Sequence, residues 1–391
     1  MRFVPLAALA GAVVACGGGT GPGLEESRAP VEESRRIRDA DILFFERRIA
    51  GDPEGALDLV QLGGLLLRRY RDRGDEADLL AAERAARRAL ANRDRRNEAA
   101  WRLLTAALSG QHRFLEARRT AERLVAVAPD DDAARAILGE VLLELGEYPA
   151  ADRIFQRLAP RRFEAALAPR YARWLELRGR AGAARRLLEA ARDDAARAGD
   201  RIPFEQRAWY HLRLAELAAR FGAWRTAVRE IGTGLALVPD EWRLLGLAAR
   251  VALATDDLDR AIASGNASLA QHLDPATLAT VGDAWRRKGD TLQAEQYFRA
   301  MEAMSQAPPG GFHRSWYLAL LDHDRRIPEV LARVQADLET RPDIYGYDLL
   351  AWALFKSGRL AEARQAMARA LAWGTEDPGL QARARAIGAG P

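Results

Sequence analysis

The sequence predicts an all-α protein built from stacked helical hairpins. The main support is self-similarity: within residues 98–160, most leucine and alanine positions of the pattern recur thirty-four residues later, as Ala117 does at Ala151. A repeat of this length is typical of a unit made of two antiparallel helices. Apolar residues make up 49% of the chain, enough for extensive burial, and no run of alternating β-branched residues indicates a strand. We therefore expect helices throughout.

Each repeat carries one apolar stripe on each of its two helices. Apolar residues spaced i, i+3, i+4 and i+7 share one helix face, and a single hairpin cannot bury two such faces. Stacked hairpins bury both. Small residues such as Ala117, Ala151 and Ala227 are expected where the two helices of a hairpin approach closely. A glycine in the turn between the helices permits the left-handed conformation that ends the first helix.

The N-terminus has the pattern of an export signal. Residues 1–15 carry one positive charge, an apolar run and small residues at the end. As a helix, the run from Phe3 to Ala15 would be about 20 Å long, short of the roughly 30 Å hydrocarbon core of a bilayer. The segment is therefore predicted to be a signal peptide and not a membrane span.

The end of this segment resembles the lipobox of bacterial lipoproteins. Residues 13–16 read Val-Val-Ala-Cys, and Cys16 is the only cysteine in the chain. The resemblance implies cleavage between Ala15 and Cys16, acylation of Cys16 and stable anchoring to the bacterial cell envelope. Gly17 differs from the aspartate associated with inner-membrane retention, which favours the outer membrane, facing the periplasm. The alternative is a plain secretory signal that contains a cysteine, and a lone cysteine at this boundary counts against it.

The chain is expected to comprise four parts. Residues 1–15 form the signal peptide, and residues 16–35, rich in Gly, Pro and charge, form the acylated cysteine and a flexible tether. Residues 36–374 form the repeat array. Residues 375–391 form a capping helix and tail, because Pro378 is suited to the first turn of a helix.

A further helix is expected at the other end of the array. It would begin near residue 36 and place Ala40 and Phe44, four residues apart, against the first hairpin. The Asp52-Pro53 pair would end it, since proline cannot continue a helix. This helix is predicted to cap the array.

From residue 98 onward, the repeat resembles the tetratricopeptide repeat (TPR). The resemblance covers roughly residues 53–371 and implies a right-handed α-solenoid of about eight to nine helix-turn-helix repeats. The second helix of the fourth repeat is predicted to extend to about Ala198, which explains one long gap between repeats. The third repeat shows the pattern with Leu138, Gly139, Leu142, Gly146, Tyr148, Ala151, Phe155 and Leu158, and the ninth with Leu350, Ala351, Leu354, Gly358, Ala363, Met367, Ala370 and Leu371.

The sequence contains no recognisable catalytic or metal-binding pattern. None of the five histidines has the spacing of a helical metal site. No phosphate-binding glycine loop or nucleophile elbow is present, and the sole cysteine is assigned to the membrane end. Acidic residues are interspersed among the arginines and the net charge is only +4, which argues against nucleic-acid binding. We expect no catalysis, cofactor or metal.

The TPR resemblance implies that a partner binds the concave groove, which is lined mainly by first-helix residues. Earlier repeats place mostly small residues there, such as Ala99, Ala106, Ala133 and Ala136 beside Arg102. Recognition is therefore expected within residues 209–356. The candidate residues are Trp209, Arg243, Arg250, Asp283, Arg286, Phe312, Tyr345, Asp348, Trp352 and Phe355. The alternative is that Trp352 and Phe355 pack on a neighbouring helix and the arginines are merely solvated.

Two functions remain open at this stage. The first is an envelope-anchored lipoprotein that binds a protein or peptide partner in its groove and acts as a scaffold or assembly factor. The second is an accessory or glycan-binding protein for cell-wall or exopolysaccharide synthesis, in which the groove aromatics stack on sugar. The sequence leaves the partner and the oligomeric state open.

Overall fold

A computed structural model describes residues 22–305 and 313–389, with side chains from residue 29 onward. The lipobox, Cys16 and Phe312 lie outside the described residues. Within these ranges the regular structure is helical, without strands. The α-helices are α1 (Pro22–Gly51), α2 (Ala56–Arg73), α3 (Glu76–Asn92), α4 (Glu98–Gly110), α5 (Phe114–Val127), α6 (Asp132–Glu144), α7 (Tyr148–Leu158), α8 (Ala168–Leu177), α9 (Ala181–Ala198), α10 (Phe204–Arg220), α11 (Trp224–Leu237), α12 (Trp242–Ala254), α13 (Leu258–Gln271), α14 (Pro275–Arg287), α15 (Thr291–Met304), α16 (Arg314–Asp322), α17 (Ile327–Thr340), α18 (Ile344–Lys356), α19 (Leu360–Leu371) and α20 (Pro378–Ile387).

Helices α2 to α19 form nine antiparallel hairpins, each packed on the next. This confirms the predicted all-α solenoid. Helix α9 ends at Ala198, as the long fourth repeat predicted. The small residues at the close approach of paired helices, Ala117, Ala151 and Ala227, have no exposed surface. The turn inside each hairpin contains a residue with positive φ, usually glycine, as at Gly146.

Helix α1 begins at Pro22, earlier than the start near residue 36 that the sequence predicted. Part of the predicted tether is therefore helical. Arg35 lies within it and donates hydrogen bonds to Asp72 at the end of α2 and to Asp240 in the loop before α12. Asp72 belongs to the first hairpin, and Asp240 lies between the fifth and sixth hairpins. The sequence around Arg35 therefore gives no local indication of these contacts.

The face that α1 buries also differs from the prediction. Its buried residues include Val31, Ile42 and Ile49, with exposures of 5%, 2% and 7%, whereas Ala40 and Phe44 are exposed. Val31 packs in the core of the fifth hairpin, while Ile42 and Ile49 pack on the first. One face of α1 therefore packs on two separate hairpins. The four-residue spacing of Ala40 and Phe44 does not predict this face.

The C-terminal cap forms where the sequence placed it. Pro378 occupies the first turn of α20, and the Asp377 carboxylate accepts hydrogen bonds from the N–H groups of Gly379 and Leu380. Leu380 and Ile387 are buried in the core of the last hairpin. None of the described helices is both long and apolar enough to cross a membrane.

The hairpins wind into a superhelix whose later hairpins touch the earlier ones. Tyr148 and Ile344 share a hydrogen bond across 196 residues, and the Arg341 guanidinium bonds Glu144 across 197 residues. The contacts follow a regular order. The turns inside hairpins one, two, three and four contact the turns that precede hairpin seven, hairpin eight, hairpin nine and α20, respectively. We call this contact the seam; its pairs are Gly74 with His272, His112 with His313, Gly146 with Pro342, and Gly179 with Gly374.

Candidate functional site

The first helices of hairpins one to six enclose two adjoining cavities of about 450 and 620 Å³. Glu140 and Glu144 on α6 line both cavities, which are together called the inner channel. The smaller cavity is also lined by Arg71, Arg102, Thr105, Ala106, Ser109, Gly110, His112, Phe114, Ile137, Val141, Arg170 and Arg341. The larger is also lined by Pro169, Arg173, Trp209, Arg213, Glu216, Ala219, Arg220, Trp224, Leu247, Arg250, Val251 and Ala254.

The inner channel is strongly basic. Eight arginines and three glutamates line it. A cleft with charges of mainly one sign and walls of low dielectric focuses the electrostatic field and raises the local concentration of ligands of opposite charge. The channel therefore favours anionic ligands.

The central glutamates are occupied by arginines. Glu144 pairs with Arg341, whose Nε also donates to the Glu144 carbonyl oxygen at 2.9 Å. Burial raises the pKa of the Glu144 carboxyl, but Arg341, Arg173 and Arg314 outweigh this effect and hold the pKa below its ordinary value. Glu140 accepts a hydrogen bond from Arg170 at 2.8 Å. The Glu144 carboxylate therefore stays ionised, and both glutamates fix the positions of arginines in the channel wall.

A second row of paired arginines lies on α8 and α10. The buried Glu176 carboxylate accepts from Arg213 at 3.0 Å and from Arg220 at 3.2 Å. The Arg173 guanidinium lies over the Tyr345 ring, 5.2 Å from its centroid. Burial lowers the pKa of Arg173, but Tyr345, Glu144 and Glu176 outweigh it, so the net shift is upward. These side chains are held in place by the protein itself.

Two channel arginines have no such partner. No carboxylate of the described residues lies within 4 Å of the guanidinium of Arg71 or of Arg250. Burial lowers the pKa of Arg71, and the neighbouring Arg170 and Arg243 lower it further. Arg71 is nevertheless accessible from inside the cavity. Unpaired guanidinium groups in a basic enclosure are ready to bind an anionic group.

Two tryptophans add apolar surface to the larger cavity. Trp224, at the start of α11, is 37% exposed. Trp209 is partly buried between the core clusters on either side of α10, and its ring meets Tyr210 edge-on at 5.3 Å. Together they add apolar surface beside the charged residues of the cavity.

Of the ten groove residues predicted from the sequence, Trp209 and Arg250 line the inner channel. Asp348 does not face a groove. It is 3% exposed, and Arg383 of the capping helix donates to both of its oxygens, at 2.9 and 2.5 Å. The structure therefore does not place Asp348 in the groove where the sequence predicted it, because the capping helix covers this residue.

Three other predicted residues, Arg243, Asp283 and Arg286, are not among the residues that line the inner channel. Arg243 donates to the Arg71 carbonyl oxygen at 2.9 Å and so joins the first hairpin to the sixth. Asp283 pairs with Arg286 at 2.6 Å and with His323 at 3.1 Å. This last group borders a shallow cavity of about 230 Å³ beside Phe298, apart from the inner channel.

The predicted aromatic end of the groove is mainly self-packed. The rings of Trp352 and Phe355 stack at 5.2 Å, and the Trp352 indole N–H donates to Asp322 at 2.8 Å. Both rings pack on the core of the last three hairpins. This arrangement agrees with the alternative that these rings pack on a neighbouring helix. Tyr345 contributes to the wall around Arg173 instead.

Sequence reasoning missed the channel residues of the early repeats. Glu140, Glu144 and Arg173 occupy first-helix positions of the kind assigned to the groove, but the prediction named only alanines and Arg102 in the early repeats. Ala136, one of those alanines, is fully buried. Counting every groove position in each repeat would have identified the charged residues, so the prediction that the early repeats are nearly bare is wrong.

Residues 22–305 and 313–389 contain no group of three or more side chains suited to holding a metal ion. The histidines of the seam pack against aromatic rings instead. His272 meets Trp242 at 4.3 Å, and His313 stacks on Trp316 at 4.0 Å.

Comparison with known proteins supports the fold. Residues 107–163 match the family model of the tetratricopeptide repeat. No curated protein sequence gave a significant match. Human IFIT1, in a dimer with PPP-AAAA, is 14% identical with a TM-score of 0.54, over 82% of this chain and 73% of that one. The Cut9–Hcn1 assembly of the APC/C is 16% identical with a TM-score of 0.53, over 91% of this chain.

The present chain spans only 59% of the length of the chain it matches in the Cut9–Hcn1 structure. PilF of Pseudomonas aeruginosa is 16% identical with a TM-score of 0.42, over 55% of this chain and 93% of that one. At these identities the likeness extends to the fold and no further.

Proposed function

We propose that this chain, a solenoid of the tetratricopeptide-repeat type, is a protein-interaction scaffold whose inner channel holds an acidic, extended segment of a partner protein. The observation that carries the proposal is the pair of unpaired guanidinium groups, Arg71 and Arg250, in a channel with a surplus of arginines. The chain acts by binding and not by catalysis.

The chemistry of the channel suits carboxylates on a flexible chain. The planar guanidinium donates two parallel hydrogen bonds to a carboxylate, which gives both affinity and a defined geometry. Arg71 and Arg250 lie in the two different cavities, so one extended segment that runs through both would meet both. Trp209 and Trp224 offer contact to apolar residues of the same segment. Cavities of these sizes accommodate a peptide segment but not a folded domain.

Envelope anchoring is the second part of the proposal. The lipobox pattern at residues 13–16 supports acylation of Cys16 and a location on the bacterial envelope, at the outer membrane facing the periplasm. A Cys16→Ser variant is expected to lose labelling by a fatty-acid probe. Undiminished labelling would refute the anchor and leave the channel proposal intact.

The channel is tested by fluorescence anisotropy with labelled peptides. We expect an oligo-glutamate peptide to bind and an oligo-lysine peptide of equal length not to bind. An Arg71→Ala/Arg250→Ala variant should lose about tenfold or more in affinity, because a charge-assisted hydrogen bond contributes about 1.5 to 3 kcal/mol. The control is Arg84→Ala/Arg88→Ala, which removes the same charge from two exposed residues of α3.

Each outcome of this test is informative. Equal losses in both double variants, or no binding of the acidic peptide, would contradict the proposal. Tighter binding of a single-stranded oligonucleotide with the same dependence on Arg71 and Arg250 would assign the channel to nucleic acid. Retention on cell-wall glycan, without a protein partner captured from detergent-solubilised envelope, would favour the accessory or glycan-binding alternative.

A further inference from the structure

A separate basic pocket lies outside the inner channel. It has a volume of about 300 Å³ and lies between the loop after α7 and helices α8 and α9. Its polar lining consists of Arg162, Tyr171, Arg180 and Arg186. None of these four residues lines the inner channel.

The three arginines of this pocket have no anionic partner in the part of the chain that the structure describes. No described carboxylate lies within 4 Å of the guanidinium of Arg162, Arg180 or Arg186. Arg162 donates to the Ala159 carbonyl oxygen at 2.6 Å and lies over the Phe163 ring, 4.8 Å from its centroid. The pocket therefore concentrates positive charge that the fold leaves uncompensated.

Two carboxylates, on α7 and in the loop that follows it, are held by other groups. Asp152 accepts a hydrogen bond from the Trp174 indole N–H at 3.0 Å. Glu164 accepts hydrogen bonds from Nε and one terminal nitrogen of Arg161. Neither carboxylate lines the pocket, so a ligand does not have to displace an internal ion pair.

The tyrosine of the pocket adds a hydroxyl group to its lining. Tyr171 is 6% exposed as a whole residue, and its hydroxyl makes no hydrogen bond within the described residues, so it is available to a ligand in the pocket. Burial raises the pKa of Tyr171, although Arg162 and Arg180 oppose the shift. The hydroxyl therefore stays protonated and can donate to an acceptor in the pocket.

We propose that this pocket binds a phosphate group carried by a small organic molecule or by a lipid headgroup. A phosphate presents several acceptor oxygens, and three guanidinium groups with one hydroxyl can donate to them together. The organic part would lie against Phe163, which is 52% exposed, and against Leu175 and Leu187. The volume lies at the lower end of the range for small-molecule sites.

A soluble ligand is tested with phenyl phosphate by isothermal titration calorimetry on the full purified chain in detergent. An Arg180→Ala/Arg186→Ala variant should lose tenfold or more in affinity. A Tyr171→Phe variant, which keeps the charge and the ring, should bind measurably more weakly than the wild type. The matched control is Arg153→Ala/Arg157→Ala, which removes two exposed arginines of the adjacent helix α7 outside the pocket.

The lipid source is tested by co-sedimentation with phosphatidylcholine vesicles that contain phosphatidic acid. Binding that requires phosphatidic acid and is lost in Arg180→Ala/Arg186→Ala, but not in the control, supports a lipid headgroup as the ligand. Binding of phenyl phosphate with the same pattern supports a soluble ligand. Failure of both probes to bind, or equal binding by the pocket and control variants, overturns the proposal.

Discussion

The backbone N–H of Ile344 donates a hydrogen bond to the hydroxyl oxygen of Tyr148 at 2.8 Å, and the two residues are 196 positions apart in the chain. Ile344 is the first residue of α18, where the helix itself supplies no acceptor for the N–H. Both residues are buried, and the Tyr148 ring stacks on Trp373 at 4.9 Å. This bond therefore fastens the ninth hairpin to the third and helps to close the seam around the inner channel.

The seam should be more sensitive than other turns to an added methyl group. In Gly146→Ala, the new Cβ would lie 2.5 Å from the Pro342 carbonyl oxygen, and φ is +75°. The control is Gly358→Ala, which has φ of +76° but nothing within 4 Å of the added Cβ. The left-handed backbone lowers the free energy of unfolding of both variants by about 1 to 2 kcal/mol. Only Gly146→Ala adds overpacking, which costs about 1 to 3 kcal/mol more.

Urea denaturation followed by circular dichroism measures this difference. We expect the unfolding midpoint of Gly146→Ala to lie clearly below that of Gly358→Ala. Equal midpoints would mean that the turn at Gly146 does not touch the later hairpin in solution.

The Arg341→Ala variant should be less stable than the wild type by about 2 to 3 kcal/mol, because the Glu144 carboxylate loses its guanidinium partner in a poorly solvated site. The matched control is Arg118→Ala, whose pairs with Glu122 and Glu147 are largely exposed and contribute less than about 1 kcal/mol. Chemical denaturation checks both variants. Similar stabilities for the two would argue against a closed seam at α6.

The histidines of the seam should make its stability depend on pH. Burial lowers the pKa of His272 and of His313. The positive charges of Arg243 at His272 and of Arg341 at His313 lower it further, while Glu76 and Asp274 oppose the shift at both. The folded state therefore favours the neutral rings.

The sign follows from proton linkage. With a lowered folded pKa, the unfolded chain binds more protons near pH 6.5, so this stability is complete above that pH and is lost as the pH falls below it. His323 acts in the opposite sense, since its bond to Asp283 raises its pKa despite burial. His323 is present in both the wild type and the His272→Gln/His313→Gln variant. Its contribution to the pH dependence of stability therefore cancels when the two proteins are compared.

Urea midpoints at about pH 7.5 and pH 5.5 test this linkage. The wild type is expected to lose more stability on acidification than the double variant does. An equal or larger loss in the double variant would contradict the assignment.

The capping helix should detach when Arg383 is removed. Arg383→Ala leaves the Asp348 carboxylate, only 3% exposed, without its bidentate partner. The loss of such a buried partner typically costs about 3 to 5 kcal/mol, which undocking of α20 would relieve. Limited proteolysis should then cleave α20 early. The control is Arg385→Ala, at an exposed residue of the same helix, which should resist proteolysis as the wild type does. Equal resistance of the wild type, Arg383→Ala and Arg385→Ala would contradict the capping role.

Periodic features could be predicted from the sequence. The hairpins, the extended α9 and the start of α20 follow from residues three or four apart and from Pro378, which depend on local geometry alone. The inner face of each first helix also follows from the repeat. Glu140 and Glu144 lie at such first-helix positions, so the repeat pattern is sufficient to predict them.

The seam could not be predicted in this way. Arg35 meets Asp240 across 205 residues, and Arg341 meets Glu144 across 197. Such contacts depend on the small rotation between successive hairpins, accumulated over about a full superhelical turn, and no residue pattern within one repeat encodes it. For the same reason, the anchoring of α1 was not apparent in its own sequence.

The most direct test of the closed superhelix is hydrogen exchange at the Ile344 amide, read at residue resolution by mass spectrometry. We expect this amide to be protected in the wild type. Tyr148→Phe, which keeps the ring stacked on Trp373, should speed its exchange by about tenfold, the equivalent of one hydrogen bond of about 1.4 kcal/mol, and leave the amides within α18 unchanged. Exchange of the Ile344 amide at the unprotected rate in the wild type would contradict the closure of the superhelix and of its inner channel.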